Sequence, residues 1–213
     1  MKTDDLIAAL AGDAAPSRGE SVSRTLVLGL ALGAVVSIAV MVLWLGVRPD
    51  FMDAMRTGPF WMKFAYVLSV AALGFGLVER LARPDGEGGL FGPMLLAPLA
   101  VMTALAVYQL WGAPEELRMT MMLGHTYQVC ARNIVIVSAP IFLGLFWAMR
   151  SLAPTRLTLA GAVAGLLAGA AGTFIYAFHC NESAAPFVVI WYTLGIAAVG
   201  VLGALMGRSL LRW

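Results

Sequence analysis

The sequence is poor in charge: only 12% of its 213 residues are Asp, Glu, Lys or Arg, against about 25% in an ordinary soluble domain. Half the usual hydrophilic surface is missing, so a soluble fold of this length could not cover the apolar residues that remain. The net charge of +2 is small and its charges fall in short clusters, which argues against direct contact with nucleic acid. Cysteine and histidine are scarce, two of each. Two cysteines exclude a disulfide-rich scaffold and leave room for one pair, and no CxxC is present. No apolar run has an isolated Asp, Glu, Lys or Arg at its centre. Such residues mark ion pathways, so their lack argues against an ion-coupled transporter.

What the chain has instead is apolar length. Hydrophobic residues make up 61% of it, the mean hydropathy is +0.86, and six runs approach the roughly 20 residues that a helix needs to cross a bilayer. They cover 25–47, 60–78, 94–111, 133–149, 157–178 and 187–206, and the fourth is the shortest. The pattern predicts an all-α, polytopic protein: a six-helix transmembrane bundle over residues 25–213, preceded by a tail of residues 1–24. The first run is span-length and follows a polar segment, which argues against a cleaved signal peptide. With the N-terminus inside, the inner segments carry nine Lys and Arg and the outer ones five: Arg48, Arg56, Lys63, Arg118 and Arg132. The excess predicts N-in, and the even span count predicts C-in.

Two outer connections read as short helices lying at the membrane surface. In the first, residues 50–56, Phe51, Met52 and Met55 share a face and Gly58-Pro59 ends the helix. The second starts at Pro114-Glu115-Glu116, sets Leu117 and Met121 one turn apart, and stops at Gly124. Gly161, Gly165 and Gly169, and Gly203 with Gly207, recur at every fourth position. They predict a close-packed seam between the fifth and sixth spans; a glycine-lined ligand path is the alternative.

Cys130 precedes the fourth span and Cys180 follows the fifth, so both fall on the outer face, together with His125 and His179. Three readings fit: two inert buried thiols, a structural disulfide, or a site that senses a thiol-binding metal or an oxidant. In the last, thiolate and imidazole suit Cu(I) or Zn(II) as a signal rather than as an obligatory cofactor. Met119, Met121 and Met122 are candidate thioether ligands for Cu(I), although a methionine run beside an apolar span is more often packing. Arg132 would favour a thiolate at Cys130 if it lay near.

The tail carries the second candidate surface. Thr3, Asp4 and Asp5 form an N-cap and an acidic first turn, and Leu6, Ile7 and Leu10 follow on one helical face. A helix of about ten residues is marginal alone in water and would form best with its apolar face in a partner's groove. A helix lying on the lipid surface is the alternative, and the acidic start makes it a poor binder of anionic lipid.

Taken together, several of these segments resemble the NrsF family, the negative regulators of sigma F. The matching pieces are Met1-Lys2-Thr3-Asp4-Asp5-Leu6-Ile7, Ala153-Pro154-Thr155, the glycine repeat, Tyr176-Ala177-Phe178-His179-Cys180, Phe187, Trp191-Tyr192 and Leu211-Arg212-Trp213, with Cys130 in the place of the family's first cysteine. The resemblance implies a non-enzymatic membrane anti-sigma factor in the bacterial inner membrane. It would hold an extracytoplasmic-function sigma factor on its cytoplasmic side until stress, commonly from metal ions, acts on Cys130 and Cys180. Two rivals remain. A membrane thiol oxidoreductase would need a second cysteine pair for exchange, and a metal transporter would need ligands inside the spans. Whether the chain forms a homo-oligomer is left open.

Overall fold

The computed structural model of the protein describes Thr3, Asp5 and residues 21–83, 86, 89–152 and 154–212, all helical or loop. Six of its helices are long and apolar enough to cross a membrane. We label the elements α1 (Val22–Leu45), α2 (Phe51–Ala54), α3 (Gly58–Leu81), α4 (Phe91–Gly112), α5 (Glu115–Leu123), α6 (Tyr127–Arg150), α7 (Leu157–Tyr176) and α8 (Ala185–Leu210). The six long helices run up and down, so each connection falls at one of two ends. Cys130, Cys180, α2 and α5 sit at one end, the cysteine end. Arg80, Arg150, Arg156 and Arg208 sit at the other, the arginine end.

Helix α7 is the hub, packing against α8, α6, α3 and α1, and two thirds of its most apolar stretch is buried. The glycine repeat explains how so many neighbours fit. A Cβ at Gly161 would strike the carbonyl oxygen of Gly203, one at Gly165 the carbonyl oxygen of Val199, and one at Gly169 would lie 3.0 Å from the Ile196 Cα. The obstructing atoms are backbone, which cannot rotate away. The seam expected between the fifth and sixth spans is therefore present.

A second seam of the same kind joins α1 to α6. Gly29 and Gly144 face each other's carbonyl oxygens, and Gly33 packs on Pro140 and Ile141. Pro140 deprives α6 of one internal N–H, and nearby the Ser37 hydroxyl donates to the Val137 carbonyl across the seam at 2.7 Å. The wide spacing of Gly29, Gly33 and Gly144 along the chain gave this contact no local signature. Helix α4 lies at the rim. Only 11% of its most apolar stretch is buried, and Leu96, Val101, Val107, Tyr108 and Trp111 are exposed.

The structure corrects several sequence expectations. The fourth helix begins at Tyr127 and spans 24 residues; it is α7, with 20, that is shortest of the six. The polar Gln128, Arg132 and Asn133 sit inside α6, since helical hydrogen bonding continues through them. Gly58-Pro59 opens α3 instead of closing α2, because a proline in the first turn forfeits no helical hydrogen bond. The inward face of α2 is Phe51, Ala54 and Met55, while Met52 is exposed. Lys63 lies in helix α3 and is fully buried. The α5 stop was read correctly: Gly124 adopts φ +58°, a conformation that favours glycine. In the tail, Thr3 and Asp5 are helical and exposed. Asp4, Leu6, Ile7 and Leu10 lie outside the described residues.

The seam can be tested by size. Gly165→Leu should lower the thermal midpoint of the detergent-solubilised protein, by an amount corresponding to about 1–3 kcal/mol or more of overpacking. Gly112→Ala, where an added Cβ meets nothing within 4 Å, should leave the midpoint unchanged or slightly raised. Equal midpoints for the two variants would mean that the seam does not hold the bundle.

Candidate functional site

Cys130 and Cys180 are 50 positions apart in the chain, yet they meet. Cys130 lies on the first turn of α6 and faces the core; Cys180 lies in the 177–184 connection between α7 and α8. Both are free thiols and both are buried, in one cluster with Tyr176, Phe187, Val188 and Tyr192. A five-residue π-helical turn, Val188–Tyr192, follows the first three residues of α8 here. Such turns are often found at functional sites, and this one brings Tyr192 beside Cys180. The Tyr192 hydroxyl and Asn133 Oδ1 are buried with no hydrogen-bond partner among the described residues.

The cation at the site is Lys63. Its Nζ donates to the Cys180 carbonyl at 2.6 Å and to the Glu182 carbonyl at 3.2 Å, and it lies 5.8 Å from the centre of the Phe60 ring. Arg48 reaches the same connection from the end of α1. Its backbone N–H donates to the Phe178 carbonyl at 3.1 Å, and its Nη1 donates to the Cys180 carbonyl at 3.3 Å. The rest of its guanidinium grips Asp50 with two bonds, at 2.8 and 2.7 Å. That bidentate pair raises the Arg48 pKa and lowers that of Asp50.

A fully buried ammonium held only by carbonyls is costly unless a negative charge lies near. Asp50 is paired with Arg48, and the Glu182 carboxylate, still charged, is turned to the His125 backbone N–H at 2.7 Å. Cys180, whose own carbonyl holds the ammonium, is a group whose negative charge Lys63 favours. Its thiol is pulled down from the ordinary range to about 6. The largest cause is the Cys130 thiol acting as hydrogen-bond donor; burial opposes it, and the Lys63 ammonium lowers it further. Of the two sulfurs, Cys180 is therefore the one whose ionisation its surroundings favour.

The other candidates are brought to the same end of the bundle but not into a ligand set. His179 turns away from the sulfurs: its Nδ1 is 2.9 Å from the Gly46 carbonyl oxygen. His125 is exposed. Among the described residues, no three of His, Cys, Asp and Glu converge as a metal cluster. Met119 is exposed on α5, whereas Met121 and Met122 are half-buried, and the Met122 carbonyl accepts the Trp191 indole N–H at 3.0 Å. Arg132 is exposed, because positions two apart on a helix point in different directions. The role considered for it at the thiol belongs to Lys63. Sequence reading missed Lys63 by counting it as a loop charge. Its place on the same helix face as Phe60, Phe64 and Val67 was the available signal.

These features define a class: an all-helical bundle with six membrane-length helices and a buried thiol pair beside a buried cation. The family model described as "Negative regulator of sigma F" (NrsF) matches residues 10–213. The anti-sigma-F factor NrsF of Caulobacter vibrioides is 36% identical over 217 residues, covering all of both chains. The probable anti-sigma-F factor NrsF of Azospira oryzae is 37% identical over 213 residues, again covering both completely. The chain belongs to the NrsF family, the negative regulators of sigma F. Both relatives are named as regulators rather than enzymes. No solved structure matches it.

The Cys180 assignment has a pH signature. Thiolate absorbance near 240 nm should titrate near pH 6 in the wild type, be lost in Cys180→Ser, and move upward in Lys63→Met. A depressed thiol pKa stabilises the fold fully above the unfolded value of about 8.5, and this contribution is lost as pH falls through about 6. The wild-type thermal midpoint should therefore fall between those limits more steeply than that of Cys180→Ser. Parallel curves would remove the thiolate from the account.

Proposed function

We propose that the chain is a membrane-embedded anti-sigma factor with both termini in the cytoplasm of a bacterium. It holds an extracytoplasmic-function sigma factor through its N-terminal tail and releases it when a thiol-binding metal or an oxidant acts on the Cys130–Cys180 pair at the periplasmic face. The observation that carries the sensing part is the meeting of the chain's two free cysteines beside Lys63. Family membership supports the sigma-factor part, and the six membrane-length helices support the membrane part. Leu6, Ile7 and Leu10 form the core of the sigma-binding face, with Thr3, Asp4 and Asp5 starting the helix.

The chemistry suits the signal. A thiolate reacts where a thiol does not, and soft or borderline metals prefer thiolate sulfur. Cys180 attacks first. Binding of a metal by both sulfurs would release the Cys130 proton; Zn(II) would leave Lys63 facing a more positive site, whereas Cu(I) would only replace the charge of that proton, so that the bridge itself is what is new. Oxidation of the pair to a disulfide by a two-electron oxidant would leave Lys63 with no counter-charge. In either case the hydrogen bonds from Lys63 and Arg48 to the Cys180 carbonyl must readjust. A signal can shift the protein only by favouring the releasing state over the holding state, and this new bridge or loss of charge balance supplies the difference. Because α7 begins at the arginine end and leads into Cys180, a shift of the 177–184 connection is transmitted along the tightest seam of the bundle.

Cys130→Ser and Cys180→Ser should leave repression intact and blunt induction by thiol-binding metal, read as sigma-dependent transcription. Each single variant should be nearly as defective as the double, because half of a pair binds no bridge. Leu6→Asp or Leu10→Asp should instead release the sigma factor while the protein stays in the membrane, since a carboxylate forced into an apolar groove either costs several kcal/mol or must take up a proton. Full induction in both cysteine variants would overturn the sensor reading. Normal sigma retention in both leucine variants would move the binding surface off the tail.

A further inference from the structure

At the arginine end, three guanidinium groups gather where α7 begins and α8 ends. Arg156 immediately precedes α7, Arg208 lies on the last turns of α8, and Arg212 follows it; all three are exposed. With Thr158 and Leu159 they line an open cleft of about 500 Å³. The cleft has a fixed part: Arg208 Nε donates to the Thr158 hydroxyl at 2.9 Å, which holds the exposed guanidinium against the start of α7. Among the described residues, none of the three arginines makes an ion pair, and no carboxylate lines the cleft. Converging like charges without acidic partners repel one another and call for an anion.

The chemistry on either side of the cleft identifies that anion. Moving from the cleft toward the middle of the bundle, exposed apolar side chains follow at once: Leu159 on α7 and Met206, Leu205, Leu202 and Val201 on α8, with Leu205 72% exposed. A cationic cleft above a bare apolar strip matches a molecule with an anionic head and hydrocarbon chains. An acidic protein surface would fill the head position and leave the strip uncovered. We propose that the cleft binds the phosphate headgroup of an anionic glycerophospholipid, whose acyl chains lie on the strip. Arg156 and Arg208 would carry most of the contact, since guanidinium groups bind phosphate oxygens bidentately. Basic clefts of this kind between helices are where anionic lipid headgroups dock on membrane proteins. The inference rests on the membrane reading given above and concerns the opposite end of the molecule from the thiols.

The test uses the full chain in neutral detergent, with native mass spectrometry counting bound phosphatidylglycerol against phosphatidylcholine. The wild type should retain phosphatidylglycerol preferentially. At about fivefold per arginine, Arg156→Gln/Arg208→Gln should lower that affinity roughly 30-fold, whereas Arg150→Gln, at the same end but outside the cleft, should keep it. If the double variant does not fold, Arg208→Gln alone should show the fivefold part. Glycerol phosphate added in excess should compete weakly, because it lacks the chains. Equal retention of the two lipids by the wild type, or unchanged retention by the variants, would overturn the lipid site. So would full competition by glycerol phosphate, which would show a site for free anion. Loss of sigma-factor binding in the double variant with lipid retention unchanged would make the cleft a protein surface and overturn the inference as well. Carbonate extraction of the wild-type protein from its own membranes separates the two levels. Release into the soluble fraction contradicts the membrane reading itself, whereas retention without lipid preference contradicts only the lipid site.

Discussion

The cysteine end is organised around one carbonyl group. The Cys180 backbone oxygen accepts a hydrogen bond from the buried Lys63 ammonium and another from Arg48, and these bonds tie the 177–184 connection to α3 and to the end of α1. A buried ammonium is tolerated only with polar partners and a compensating charge. That requirement connects the backbone of Cys180 with the ionisation of its own side chain. The neighbouring contacts reinforce the clamp. The Gln109 Oε1 accepts the Ala185 N–H at 2.9 Å, Glu182 takes the His125 N–H, and Trp191 reaches α5. Helices α1, α3, α4, α5 and α6 thus all touch the segment that carries Cys180 or the helix that follows it. The segment that carries Cys180 is thus tied to the other connections at that end.

Packing along the bundle gives a disturbance at that end a route. Glycines let α7 and α8 approach until backbone touches backbone, and a seam without side chains has little slack to absorb a displacement. Bulky side chains would be more forgiving, since rotamer changes can take up a shift. The α1–α6 seam is built in the same way and ends, at the arginine end, beside the start of α1, to which the N-terminal tail is joined. The α1–α6 seam therefore joins the helix that carries Cys130 to the helix that the tail precedes in the chain. The rim helix α4, with its exposed apolar face, takes no part in this frame.

Much of this was legible in the sequence because apolar length, turn residues and glycine periodicity are local signals. The six long helices, the α5 stop at Gly124 and the α7–α8 seam all follow from such signals. The α1–α6 seam was not legible: Gly29 and Gly33 form one short repeat, and their partner Gly144 stands alone more than 100 positions away. The ends of α6 were misjudged for a different reason. Hydropathy falls at Arg132 and Asn133, but the helix continues through them, since Arg132 is exposed on its surface and the backbone pays no penalty for a polar side chain there. Inert thiols, a structural disulfide and a sensing site all fitted the positions of Cys130 and Cys180, and distance along the chain could not choose among them; both cysteines are free thiols in the structure. Lys63 was invisible as a site residue because a cation near the end of an apolar run looks the same whether it faces solvent or turns inward.

If chemistry at the thiol pair changes what the tail holds at the other end of the bundle, metal binding and sigma-factor release must occur together. The most direct measurement is sigma-factor dissociation from the purified complex in lipid nanodiscs as zinc is added, with metal stoichiometry determined on the same sample. The wild type should dissociate as zinc loads, and Cys130→Ser/Cys180→Ser should neither load at this site nor dissociate. A wild-type complex that takes up cysteine-dependent zinc and keeps its sigma factor at the same affinity would contradict this coupling.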